Sequence, residues 1–448
     1  MSYEMISILI FLSMLISLTT GREIFAVIGG VGAAWAIALW GKGGFTLSFQ
    51  ASFSLLNWYA LLTLPMFIYM GYMFSISGIA DDLYTMFHVW MGPLRGGLAV
   101  GTIGLMAIIA AMNGLSVAGM AIGATLCLPE MLKRKYDKVM VTGVIQAGSS
   151  LGIMIPPSVV LVLYAMIARQ PVGHLWLAGV FPGFMLAGLF ILYIVIRCLI
   201  QKDLGPALPA EERAKYDWRL RFKLLRAALL PIFIIFMMTG LFFLGITSLV
   251  ESAAVGAAVT TFAAIINRRL NWQKFIEVLK ETLNVSCMFM WVILAALAFG
   301  AIYDGLGAIH GIEKLFLGGE LGPWGVIAMM QATYIILGMF LDDTAMLIIV
   351  APLYVPLVIK LGFNPIWYGV LYTVTCQIAY LTPPFGYNLF LMRAMAPKEI
   401  TIIDIYKSIF PFVLVMIVGL IILMIFPDIA LWLPRQYFGA EFTGAVGG

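Results

Sequence analysis

Gly148-Ser149-Ser150-Leu151-Gly152-Ile153-Met154-Ile155-Pro156-Pro157-Ser158 interrupts one apolar segment of the chain, and Ala379-Tyr380-Leu381-Thr382-Pro383-Pro384-Phe385-Gly386-Tyr387-Asn388 interrupts another. In each, a Pro-Pro step falls within a stretch rich in Gly, Ser or Thr. In hydrocarbon an interrupted helix frees backbone carbonyls and amides, which are tolerated only where they line a cavity or bind a ligand. A matched pair of such breaks in two halves of a membrane protein points to a secondary transporter's midplane site.

Composition agrees with a membrane setting. Of 448 residues, 62% are hydrophobic and 11% charged, with a mean hydropathy of +1.03, well outside the norm for soluble domains. The expected fold is an all-α polytopic membrane protein with about 10 transmembrane helices, since each crossing needs roughly 20 apolar residues. The spans read as 5–20, 23–41, 56–79, 139–169, 175–199, 227–247, 250–267, 283–303, 366–395 and 407–433. The segment Met5 to Leu18 lacks a basic flank and a cleavage signal, so it is expected to be a retained helix. Cys127, Cys198, Cys287 and Cys376 show no metal-like spacing and read as small lipid- or core-facing residues. The net charge of +4 reflects loop charges that report orientation and gives no nucleic-acid signal.

Two further apolar stretches, 98–129 and 324–358, carry polar centres: Asn113-Gly114-Leu115-Ser116 and Asp342-Asp343-Thr344. Each arm is too short to cross alone, so both stretches are expected to be re-entrant hairpins. Landmarks recur at nearly one offset. Pro156 and Pro383 lie 227 positions apart, Asn113 and Asp342 229, Pro182 and Pro411 229, and Glu23 and Glu251 228. The expected organisation is a first repeat over 1–200 (hairpin 98–129, broken helix 139–169), a cytoplasmic loop over 201–226, and a second repeat over 227–436 (hairpin 324–358, broken helix 366–395). A tail covers 437–448. Five crossings and one hairpin per half force the repeats to be inverted. With both termini periplasmic, 21 of the 26 Lys and Arg residues fall on the cytoplasmic side, as the positive-inside rule requires.

Each hairpin tip is expected to meet the broken helix that follows it. Hydroxyls, amide oxygens and freed carbonyls suit a small hard cation, and half-helix C-termini add partial negative charge. The first cation-binding set is Asn113, Gly114, Ser116, Ser149, Ser150 and Gly152. The second is Asp342, Asp343, Thr344, Thr382 and Gly386, with Asn388 beside them. Half-helix N-termini at the same places suit an anionic substrate group, and Ser150, Pro156, Pro383 and Asn388 are the candidates for substrate contact. Asp342 and Asp343 carry the most weight, because a carboxylate at the bilayer centre costs roughly 2.5–3.5 kcal/mol; the bland alternative is a wet hairpin in which one aspartate caps a short helix.

Other polar residues have blander readings. Glu23 and Glu251 sit at helix starts, where capping explains a carboxylate. Arg169 and Arg393 close the broken helices and read as snorkelling cations. His88, His174 and His310 suggest neither a metal site nor a triad, and no constellation supports an enzyme. Trp218, Leu220, Phe222, Leu224 and Leu225 mark an amphipathic surface helix within the cytoplasmic loop.

The blocks Gly148–Ser158, Leu337-Gly338-Met339-Phe340-Leu341-Asp342, Leu381-Thr382-Pro383-Pro384 and Asn388-Leu389-Phe390 resemble the large membrane (DctM-like) subunit of tripartite ATP-independent periplasmic (TRAP) transporters. So do Gly179-Val180-Phe181-Pro182-Gly183, Phe426-Pro427 and Leu431-Trp432-Leu433-Pro434. The resemblance runs nearly end to end. It implies an elevator-type permease of the bacterial inner membrane, importing organic acids with sodium as coupling ion and without a cofactor. Its implied partners are a small membrane (Q) subunit, a periplasmic substrate-binding protein and the lipid bilayer. The family's sodium-site regions fall on the two sets above. Two departures stand out: Asn113-Gly114-Leu115-Ser116 replaces the usual Ser-Gly-Ser-Ser, removing a hydroxyl, and Asp342-Asp343-Thr344 replaces Asp-Pro-Thr, adding a carboxylate. The alternative reading is a stand-alone cation-coupled carboxylate symporter of the divalent-anion type.

Overall fold

The computed structural model describes residues 3–439 except 19, 21, 42, 115, 210, 212–215, 308–321, 340, 342, 384 and 385. Every regular element among the described residues is helical. Among the described residues six helices are long and apolar enough to cross a bilayer: Tyr59–Ile76, Val172–Ile200, Trp218–Phe243, Leu249–Ile266, Trp272–Gly305 and Ile402–Ile425. Shorter apolar helices include Phe25–Trp40, Gly97–Asn113 and Pro323–Gly338.

The ends of these helices follow local chemistry. Asp137 accepts from the amide of Met140 at 2.9 Å, starting Lys138–Ser150. Asn364 accepts from Ile366 at 2.8 Å and from Trp367 at 3.3 Å, starting Pro365–Tyr380. Ser248 and Glu251 form a reciprocal capping box at the start of Leu249–Ile266, which satisfies two otherwise orphaned amides. Glu23 stands at the N-cap of Ile24–Trp40, not at the third helical residue as Glu251 does, and makes no side-chain cap bond. Pro182 and Pro411 each lie inside a long helix, Val172–Ile200 and Ile402–Ile425.

The structure departs from the sequence reading in several places. Helices Gly43–Leu55 and Ile79–Met91 fall partly or wholly between the expected spans. The span expected over 407–433 is two helices, Ile402–Ile425 and Asp428–Phe438. Pro427 disfavours helical geometry at the residue before it, and the first helix closes at Phe426. Arg393 is exposed, and its Nη1 donates to the Ile400 carbonyl at 2.9 Å.

The helices pack as two groups. Tyr3–Leu18, Ile24–Trp40, Gly43–Leu55, Thr63–Ile76, Leu249–Ile266 and Trp272–Gly305 pack mainly on one another. The second group gathers Gly97–Asn113, Ser116–Ile122, Lys138–Ser150, Val159–Ile167 and Val172–Ile200 with Pro323–Gly338, Asp343–Lys360, Pro365–Tyr380, Tyr387–Met395 and Ile402–Ile425. The groups meet where Trp272–Gly305 runs along Asp343–Lys360 and where Thr63–Ile76 lies against Gly97–Asn113. Both Pro-Pro breaks belong to the second group.

Candidate functional site

The first interrupted stretch stops as a helix at Asn113 and resumes at Ser116. Gly114 makes the turn with φ +65°, a left-handed conformation that costs any residue with a Cβ. A Cβ there would also lie 2.1 Å from the Pro157 carbonyl oxygen. The glycine therefore lets the 113–116 turn sit directly on the first Pro-Pro break. Asn113 and Ser116 are both buried.

Lys138–Ser150 ends in the short 3-10 turn Leu151–Ile153, which holds Gly152, and Val159–Ile167 begins after Ser158. Pro156 is buried between them. Ser149 donates to the Gln146 carbonyl at 2.8 Å and Ser150 to the Ala147 carbonyl at 2.7 Å. Both hydroxyls thus spend their protons on their own helix and leave oxygen lone pairs free to accept. Ser158 donates to the Ile153 carbonyl and accepts from the Leu161 amide, which closes the break and caps the next helix.

Asn388 joins this cluster rather than the second one. Its Nδ2 lies 3.1 Å from the Ser116 hydroxyl and 3.4 Å from that of Ser149, and its Oδ1 lies 3.3 Å from Ser116. All three side chains are buried. One residue of the second broken helix thus bridges the first tip and the first break.

At the second break, Pro365–Tyr380 ends at Leu381 and Tyr387–Met395 follows Gly386, whose φ is +45°. Thr382, partly buried, donates to the Ile378 carbonyl at 2.6 Å. Pro383 is exposed. Gly386 has no side chain to cap Tyr387–Met395, and the Leu389 amide donates to the Gly386 carbonyl at 2.8 Å. At the second tip, Asp343 is buried at the start of Asp343–Lys360, and its carbonyl accepts from the Tyr372 hydroxyl at 2.6 Å. Asp342, Leu115 and the Thr344 side chain lie outside the described residues.

Three buried glutamines, Gln146, Gln331 and Gln377, escaped the sequence reading, and two of them, Gln146 and Gln377, lie on the broken helices. Gln377 donates to the Ser150 carbonyl at 3.0 Å, joining the two broken helices. Its Oε1 has no hydrogen-bond partner among the described residues. Gln146 donates to the Ser408 hydroxyl at 3.2 Å, and its Oε1 has no hydrogen-bond partner among the described residues either. Their sequence signal is a long polar side chain within a helix that is buried on every face. The result is a buried cluster of neutral oxygens around the ends of short helices. Such donors suit a hard monovalent cation. Among the described residues no group of three or more His, Cys, Asp and Glu side chains is placed to hold a metal ion.

Comparison with known proteins agrees with this architecture. The chain is 30% identical over 380 residues to the C4-dicarboxylate TRAP transporter large permease protein DctM of Pseudomonas aeruginosa, covering 84% of this chain and 86% of that one. It is 28% identical over 389 residues to the ectoine TRAP transporter large permease protein TeaC of Halomonas elongata, covering 84% and 86%. In fold it is similar to the Alcanivorax borkumensis YdaH transporter, with a TM-score of 0.57 at 14% identity over 89% of each chain. Residues 9–429 match the family described as tripartite ATP-independent periplasmic transporter, DctM component. The chain is a membrane protein that belongs to the DctM family of TRAP transporter large permeases.

Proposed function

We propose that this chain is the large permease subunit of a sodium-coupled secondary transporter of the bacterial inner membrane, importing organic acids by an elevator mechanism. A periplasmic binding protein delivers the substrate, and a small membrane subunit completes the permease. The observation that carries this reading is the Asn388 amide set between Ser116 and Ser149. Tip and both breaks supply neutral oxygens to one buried place, as binding and releasing a sodium ion requires.

The sodium ion takes the hydroxyls of Ser116, Ser149 and Ser150 with the amide oxygens of Asn113 and Asn388. The negative end of Lys138–Ser150 adds to its binding. Gly114 and Gly152 allow the backbone to approach. Asp342, Asp343, Thr344, Thr382 and Gly386 hold a second cation. A substrate carboxylate lies at the N-terminus of Tyr387–Met395, beside Ser150, Pro156, Pro383 and Asn388, because a helix N-terminus favours an anion. The two named relatives carry C4-dicarboxylate and ectoine, so the substrate class is a small organic acid.

In this mechanism the second helix group, which holds both breaks, slides against the first along Trp272–Gly305. The chain is organised as two inverted repeats with both termini periplasmic. Moving at least two sodium ions with one monoanion carries net positive charge inward. Each net charge gains about 2.3 kcal/mol per 100 mV of membrane potential.

The test is uptake of a panel of organic acids by proteoliposomes holding the chain and its small subunit. Sodium gradient and binding protein are each present or absent. The proposal expects uptake only with both. Sodium-driven uptake without the binding protein identifies a stand-alone symporter instead, and uptake on a proton gradient alone rejects sodium coupling.

A further inference from the structure

We propose that the turns from Trp218 to Arg226 form a binding site for anionic phospholipid headgroups at the bilayer face. This stretch opens Trp218–Phe243, a helix apolar enough to span the membrane. Its outer surface divides into two adjoining stripes. Trp218, Phe222, Leu225 and Leu229 recur at helical spacing and are 65%, 60%, 39% and 63% exposed. The same apolar surface continues along the span through exposed Ile232, Phe233 and Phe236. Arg219, Lys223 and Arg226 lie one position further round, also exposed. None of the three is in an ion pair among the described residues.

Charge stops abruptly along the helix. Four basic residues lie between Trp218 and Arg226, and none from there to Phe243. Arg219 to Arg226 covers about 10 Å of helix axis, on the scale of a headgroup layer. An apolar stripe at the acyl boundary beside a basic stripe is the arrangement that holds a helix to an anionic bilayer surface. Asp217, the acid that begins the stretch, is engaged in capping, accepting from the Leu220 amide at 2.8 Å.

The protein body fixes this segment in place. Trp90 packs edge-on against Trp218 and Phe222, at 6.4 and 6.0 Å between ring centroids. Its indole N–H donates to the Arg221 carbonyl at 3.1 Å. The Arg221 guanidinium lies 5.1 Å over the Trp218 ring, and its buried Nε has no hydrogen-bond partner among the described residues. The lipid phosphodiester accepts from Lys223 and Arg226, with Arg219 further along the same stripe, while its acyl chains lie along Phe222, Leu225 and Leu229.

The test is native mass spectrometry of the full chain in detergent with added phosphatidylglycerol or phosphatidylcholine. The wild type is expected to retain phosphatidylglycerol several-fold more than phosphatidylcholine. That excess falls as ionic strength rises. An R219Q/R221Q/K223Q/R226Q variant loses the excess, while a K398Q/K407Q control keeps it. Glycerol 1-phosphate, which lacks acyl chains, does not displace the lipid. Equal retention of the two lipids, a salt-independent excess, or an unchanged quadruple variant overturns the proposal. Displacement by glycerol 1-phosphate overturns its membrane part. A photo-reactive side chain at position 222 that crosslinks in membranes to an acidic polypeptide and not to lipid overturns the choice of partner.

Discussion

Gln377 donates its side-chain amide to the Ser150 carbonyl at 3.0 Å, and the two residues stand 227 positions apart, the separation that also relates Pro156 to Pro383. The carbonyl belongs to the residue that starts the 3-10 turn Leu151–Ile153, so it accepts the first bond of that turn as well as the one from Gln377. One broken helix is thus tied by a side chain to the end of the other. Gln377→Leu removes this tie between the halves, a loss of about 1 kcal/mol. The purified variant should unfold at a lower temperature than the wild type. An unchanged midpoint would show that water or a local rearrangement replaces the bond.

Ser116 and Ser149 meet through Asn388 rather than directly. Ser116→Ala and Ser149→Ala should each raise the sodium concentration for half-maximal uptake about tenfold, or about 1.4 kcal/mol. The double variant should fall short of the sum, since residues sharing one partner do not act independently. Strict additivity in a sodium titration would separate the two hydroxyls into different sites.

Gly114→Ala tests the contact between tip and break. The added Cβ would meet the Pro157 carbonyl oxygen at 2.1 Å in a backbone with φ +65°. Strain of this kind costs about 1–3 kcal/mol, and folded yield and uptake should both fall sharply. Gly30→Ala, where nothing lies within 4 Å of the new Cβ, should be nearly silent by the same assays.

Lys138 and Asp404 form an ion pair of 2.7 Å with Lys138 44% exposed. Exposed pairs contribute about 0.2–1 kcal/mol and weaken with salt. Lys138→Met should therefore cost less than about 1 kcal/mol. A larger loss measured by chemical unfolding would mean that the pair holds Lys138–Ser150 to Ile402–Ile425 more strongly than its exposure suggests.

The apolar spans and both Pro-Pro breaks were legible in the sequence because they follow from local chemistry: hydropathy, and a proline that cannot continue a helix. Asn388 was assigned to the wrong cluster because sequence order pairs each break with its nearest tip. Only the packing of the two halves brings it to Ser116. Gln146 and Gln377 were overlooked because a polar residue in a helix ordinarily marks a solvated face, and here no face is solvated. Gly43–Leu55 was passed over because Thr46, Ser48, Gln50, Ser52 and Ser54 lower its hydropathy. It packs on Trp272–Gly305, far along the chain. The separate helix after Pro427 was missed because the apolar pattern runs through the break, although the proline was there to be read.

The central claim is that Asn388 helps to build a sodium site from both halves of the chain. It is tested most directly by titrating sodium in uptake assays of wild-type and Asn388→Ala chains, each reconstituted with its partners. The predicted result is saturable sodium dependence in the wild type, with half-saturation raised about tenfold or more in the variant and partly restored uptake at high sodium. Identical titration curves for the two chains, or wild-type uptake indifferent to sodium, would contradict it.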